Sequence, residues 1–116
     1  MQHKFKSKNE LRKRRHKRIR AKIVGTSERP RLSVYKSNQF VSAQLIDDAR
    51  RRTVASAHGR TFKGSQSVQA KAVGEAIAKA AKDLGVKSVV FDRGGYRYGG
   101  HVQMLAEAAR AGGLIF

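Results

Sequence analysis

The residues of this chain that could do chemistry converge on one stretch, Asp92-Arg93-Gly94-Gly95-Tyr96-Arg97-Tyr98-Gly99-Gly100-His101. It follows a short β-branched and aromatic run, Val89-Val90-Phe91, and precedes a segment of helical pattern. A strand, a glycine-rich turn and a helix in that order present backbone N–H groups at a helix N-terminus, which suits an anion such as a phosphate. Arg93, Arg97 and His101 add cationic groups, and Tyr96 and Tyr98 add flat rings for bases or riboses. The same residues also fit a plain turn whose glycines supply positive φ and whose tyrosines cap the core. Taken alone, the stretch leaves both readings open.

Catalytic schemes fare poorly. Gly94 and Gly99 have the separation of a P-loop, but Gly100 and His101 stand where Lys and Ser or Thr are required. Nothing there would reach the β- and γ-phosphates or hold Mg²⁺. A metal-dependent nuclease would use Asp92 at the strand end, with Asp47, Asp48 and Glu107 as partners. Against it, Arg93 and Arg97 adjoin Asp92, and Asp47-Asp48 suits a turn between strands, where such side chains bond the nearby backbone. Glu107 is explained as an i, i+3 partner of Arg110. His3, His16, His58 and His101 are scattered without ligand spacing, and no G-x-S-x-G elbow occurs. The sequence assigns no catalytic residue, no metal ligand and no cofactor.

Charge is the stronger signal. A formal net charge of +18 on 116 residues disfavours a compact state through self-repulsion unless a polyanion supplies the opposite sign. The segment Met1 to Lys22 holds 11 of the 26 lysines and arginines and a single acid, Glu10. Its few apolar residues, Phe5, Leu11 and Ile19, build no stripe at helical spacing. It is expected to be disordered or partly helical when free and to order on a polyanion. A solvated tail or a localisation signal is the alternative for this arm. Cysteine is absent, which removes disulfides and thiolate metal sites and fits a reducing interior. No apolar run has the length of a membrane span or of a secretory h-region. Nucleic acid is the polyanion that remains.

The elements that must carry these groups read as one domain preceded by an arm: residues 1–24 basic, residues 25–116 globular. Gly25 to Pro30 is a linker, and Arg29-Pro30-Arg31 leads into an extended run because proline is best tolerated at a strand start. Leu32 and Val34 then share one side and Ser33 and Tyr35 the other. Lys36-Ser37-Asn38-Gln39 turns the chain, Phe40 to Ile46 returns, and Thr53 to Ala57 makes a third strand after Arg50-Arg51-Arg52. A loop with Arg60, Phe62 and Lys63 precedes a helix over roughly Ser67 to Leu84, ended by Gly85 as a left-handed cap. The last helix spans about His101 to Arg110, and the apolar Leu114-Ile115-Phe116 is expected to be tied down. The order predicts a two-layer α/β domain, with an antiparallel meander plus one parallel strand and both helices on one face. Cations then lie on the arm, the turns and the glycine loop. Tyr35, Tyr96, Tyr98 and Phe62 are candidates for stacking on unpaired bases, with core packing equally open for Tyr35 and Phe62.

Four runs also carry a family resemblance: Arg29-Pro-Arg-Leu-Ser-Val-Tyr-Lys-Ser-Asn38, Ala43-Gln-Leu-Ile-Asp-Asp48, Val90-Phe-Asp-Arg-Gly-Gly-Tyr-Arg-Tyr98 and Leu105-Ala-Glu-Ala-Ala-Arg110. Over nearly its whole length the chain resembles the family of bacterial large-subunit ribosomal protein eighteen. The resemblance implies a non-catalytic, cytoplasmic, ribosome-bound protein, monomeric in the ribosome, that docks 5S rRNA onto 23S rRNA at the central protuberance. It also implies large-subunit ribosomal protein five as a neighbour, with no membrane partner. The contact candidates are Lys8, Arg12, Arg14, Arg15, Arg18 and Arg20 on the arm, then Arg29, Arg31, Lys36, Ser37, Asn38, Arg60, Lys63, Arg93, Tyr96, Tyr98 and His101. The family usually carries His-Gly-Arg where this chain has Gly99-Gly100-His101, so an imidazole stands in place of a fixed cation.

Overall fold

The computed structural model describes residues 12, 24–96 and 99–116. The expected arm therefore lies outside the described residues except for Arg12 and Val24, and so do Arg97 and Tyr98. Four strands form one mixed sheet: β1 (Arg31–Lys36), β2 (Val41–Asp47), β3 (Arg52–His58) and β4 (Val90–Asp92), in the order β3-β2-β1-β4. β1 pairs with β2 and β2 with β3 antiparallel, and β4 lies parallel to β1 with Leu32 opposite Phe91. The two-layer reading of the sequence holds, with α1 (Gln66–Asp83) and α2 (Gly100–Ala111) as the second layer.

Alternation along the strands sorts the side chains. Leu32, Val34, Val41, Ala43 and Leu45 are buried and meet Val73, Ile77, Val102, Leu105 and Ala109 of the helices in one core. Gly74 and Ala78 of α1 lie against Ala108, Ala109 and Gly112 at the end of α2, and a Cβ on Gly74 would run into the Leu105 carbonyl, so small residues let α1 and α2 approach closely. Opposite β2, the β3 register shifts between Leu45 and Ile46, so that Leu45 faces Ala55 while Ile46 faces Thr53. Val54 is the extra residue of this bulge, and it too packs against the core.

Helix α1 begins one residue earlier than the periodicity predicts. Ser65 is its N-cap, and the Ser65 hydroxyl accepts from the Val68 N–H, which the apolar pattern could not reveal. Its end matches the expectation: the Gly85 N–H donates to the Lys82 carbonyl and the Val86 N–H to that of Ala81, the paired bonds of a Schellman stop. Strand β4 has the expected length but lies one residue later than the apolar run suggests, because Val89 donates its N–H not to the sheet but to the Ile115 carbonyl. That bond and the bridge between Ser88 and Ile115 tie down the C-terminal tail. Leu114 is buried and Phe116 stacks on Phe91 at 5.3 Å, whereas Ile115 remains 64% exposed.

Candidate nucleic-acid interface

The helices cover one face of the sheet and leave the other open. On the open side of β1 and β2 stand Ser33, Tyr35, Ser42 and Gln44, with Ser56 and His58 opposite them on β3. Every second residue points this way, so the polar choice at these positions and the apolar choice between them are one pattern read from two sides. Tyr35 is 60% exposed, which decides between the two readings left open for it: its ring is not core. A hollow of about 530 Å³ lies on this face, lined by Arg12, Ser33, Val34, Tyr35, Ser42, Gln44, His58, Gly94 and Tyr96. A phenol ring, two hydroxyls, an amide and an imidazole in one shallow surface offer stacking and hydrogen bonds to an exposed base edge or a 2′-hydroxyl.

Three connections frame that face. The turn between β1 and β2 is built by Ser37, whose hydroxyl accepts from the Phe40 N–H at 3.1 Å. Gln66 of α1 donates to the Ser37 carbonyl at 2.7 Å, and Gln69 accepts from the Val41 N–H while donating to the Gln39 carbonyl. Ser37 is thus occupied in building the turn, while Asn38 is exposed and Lys36 half-buried beside it. The two glutamines were missed from sequence, although Gln69 sits in the apolar stripe one turn before Val73 and is itself buried. A polar residue in such a stripe signals a buried backbone group that needs a partner.

After β3, the His58 ring accepts from the Arg60 N–H and lies 5.4 Å from the Phe40 ring. The Arg60 guanidinium reaches over that ring at 6.0 Å and is exposed, as is Lys63. Phe62 is half-buried against the core, which settles its alternative readings in favour of packing.

The glycine loop closes the third side. Asp92 is fully buried and its Oδ1 accepts from the Gly94 N–H at 2.8 Å. Gly94 and Gly95 have φ of +68° and +79°, and a Cβ on Gly94 would press on the Val34 carbonyl, so this tight return over the sheet edge needs glycine. Tyr96 is half-buried, donates its hydroxyl to the Lys36 carbonyl at 2.9 Å and lies under the Arg12 guanidinium at 4.9 Å from its ring centre. Arg93 is half-buried next to Asp92. At the start of α2, Gly99 caps without any side-chain bond, and the His101 Nδ1 is buried with no hydrogen-bond partner among the described residues.

Arg31 departs from its expected role. It is 4% exposed, and it donates through Nη1 to Asp92 at 2.8 Å and through Nε and Nη2 to Asp48 at 3.0 and 3.1 Å. Burial disfavours its charge, but the hydrogen bonds it donates to Asp48 and Asp92 and the attraction of both carboxylates outweigh that and raise its pKa above the ordinary arginine value. It is a buried ion-pair residue, not a surface cation. Arg29, two residues earlier, is exposed in a turn where Thr26 and Arg29 bond each other. The carboxylates weighed for a metal site are likewise engaged: Asp92 with Arg31 and Gly94, Asp48 with Arg31 and Gly25, and Asp47 with the Ala49 and Arg50 amides. Lys8, Arg14, Arg15, Arg18, Arg20 and Tyr98 lie outside the described residues.

Comparison with known sequences places this architecture. A family model described as ribosomal L18 of archaea, bacteria, mitochondria and chloroplasts matches residues 6–116. The chain belongs to the ribosomal L18 family. Among its relatives, the large ribosomal subunit protein uL18 of Dictyoglomus thermophilum is 52% identical over 118 residues, covering 96% of this chain and 97% of that one. The protein of the same name from Caldanaerobacter subterraneus is 53% identical over 116 residues, covering 95% and 96%. That of Lactobacillus johnsonii is 55% identical over 113 residues, covering 94% and 95%. Membership in the L18 family spans the glycine loop, the open face and most of the basic arm alike. Among the described residues, no helix is long and apolar enough to cross a membrane.

Proposed function

We propose that this chain is a structural, RNA-binding constituent of the large ribosomal subunit that binds 5S rRNA and attaches it to 23S rRNA in the central protuberance. In this reading it acts without catalysis, as a single copy bound to the ribosome in the cytoplasm, with large-subunit protein five as a neighbour. The observation that carries the reading is the open face: an exposed Tyr35 among hydroxyl, amide and imidazole groups, with the Arg12 guanidinium lining the same hollow. Phosphate contacts from the rim and the arm supply affinity and register, while ring stacking and hydrogen bonds on the face supply preference for a folded RNA. The charge of +18 and the relatives' names point the same way.

The test is competition binding to 5S rRNA across a salt series, with heparin as the rival polyanion. A steep fall of log K with log[salt], together with retained preference for 5S rRNA over heparin, is expected. Equal binding to heparin removes the specific reading, and a flat salt dependence removes the phosphate contacts. A chain lacking residues 1–22 is expected to keep the circular dichroism of its core and its 5S preference, with weaker affinity. Incubation with RNA and Mg²⁺ is expected to leave the RNA intact.

A further inference from the structure

We propose that Arg31 is a positioning residue for RNA recognition: one buried guanidinium fixes the root of the N-terminal arm and the glycine loop relative to each other. The proposal rests on the RNA-binding reading above and assigns to Arg31 a part in it other than contact. Arg31 follows the open-face side of β1, in alternation with Ser33 and Tyr35, so it floors one end of the candidate interface. Its planar fork takes carboxylates from two different places, Asp48 at the turn after β2 and Asp92 at the end of β4.

Each carboxylate also holds a backbone segment, Asp48 through the Oδ2 that it shares with Arg31 Nε and Asp92 through Oδ1 while its Oδ2 accepts from Arg31 Nη1. Asp48 accepts from the Gly25 N–H at 2.6 Å, while the Asp48 N–H donates to the Gly25 carbonyl at 3.0 Å. Gly25 has no room for a Cβ, which would run into the Arg31 backbone and the Ile46 carbonyl, so the point where the arm leaves the domain is pinned against β1 and β2. Asp92 holds Gly94 in the same manner on the other side. Two segments that carry cations toward RNA thus share a single anchor. Recognition of a rigid RNA surface by separate loops depends on such support beneath the contact residues, because an unsupported loop must be ordered on binding.

Lysine keeps the charge of Arg31 but cannot fork to both carboxylates, and Asp48→Asn removes a negative charge near an RNA surface. The full-length chain carrying each substitution is titrated with 5S rRNA at a temperature where circular dichroism shows it folded. The amide resonances of Gly25 and Gly94 are recorded in parallel. Arg31→Lys is expected to bind at least tenfold more weakly with both glycine amides displaced. Asp48→Asn is expected to bind more weakly as well, against the direction that loss of a negative charge alone would give. Arg31→Lys binding within threefold of the parent chain, or Asp48→Asn binding more tightly, overturns the proposal. If Arg31→Lys does not fold, the sign of the Asp48→Asn change decides. Failure of the parent chain itself to prefer 5S rRNA over heparin would instead strike the RNA-binding reading.

Discussion

The two faces of the sheet are built from alternate residues of the same strands and obey different rules. On the helix side Leu32, Val41 and Leu45 are excluded from solvent and locked among helix side chains. On the other side Ser33, Tyr35, Ser42 and Gln44 meet no covering layer among the described residues, and the ring most suited to packing, Tyr35, stands exposed. A protein selected only for stability gains from burying such a ring, since each buried aromatic removes a large apolar area from water. Its exposure leaves a ring available for stacking, as the proposed RNA contact requires. Stability and recognition are therefore separable by substitution at adjacent positions.

The sharpest way to break this comparison is in the core. Leu45→Ala leaves a cavity beneath the helices and is expected to cost about 2–5 kcal/mol of stability in denaturant titration, while the folded fraction retains its 5S rRNA affinity. One strand away, Tyr35→Ala is expected to do the reverse. It should cost about 1–3 kcal/mol of RNA binding if a base stacks on the ring, with the unfolding midpoint unmoved. Loss of stability without loss of binding would return Tyr35 to a packing role. Arg93→Ala should weaken binding by a comparable amount, about 1–3 kcal/mol for a charge-assisted hydrogen bond, and flatten the salt dependence.

Smaller effects sharpen the boundary between the faces. Ser65→Ala removes the α1 cap and is expected to cost about 1 kcal/mol of stability by thermal melting, leaving the RNA affinity of the folded protein unchanged. Arg60→Ala, at the exposed rim, is expected to cost under about 1 kcal/mol of binding, and the difference should vanish at high salt. An Arg60 effect that persisted at high salt would mark it as a buried contact in the complex rather than a screened surface charge.

Much of this molecule is legible from residue order because its local signals agree. The alternation in Leu32 to Tyr35, the stripe from Val73 to Ile77 and the Gly85 stop each predict their element within a residue or two. The glycine loop is visible as punctuation, although its tyrosine is not the free ring it resembles, since Tyr96 spends its hydroxyl on the Lys36 carbonyl. Arg31 marks where legibility ends. In the sequence Arg29 and Arg31 are equivalent cations around a proline, yet one is exposed and the other is enclosed by Asp48 and Asp92.

The sequence by itself determined the secondary elements, the sign and scale of the charge, and the side of each strand that faces the core. Those follow from periodicity and composition, which are properties of neighbours along the chain. Only the tertiary structure decided which cations remain at the surface, which face of the sheet stays uncovered, and which carboxylates are held inside. Asp92 lies 61 positions from Arg31, and their contact depends on a parallel pairing of β1 with β4 that brings the two strand ends together. Burial of a charge is settled by such distant partners, because only a carboxylate delivered to hydrogen-bonding distance offsets the loss of water.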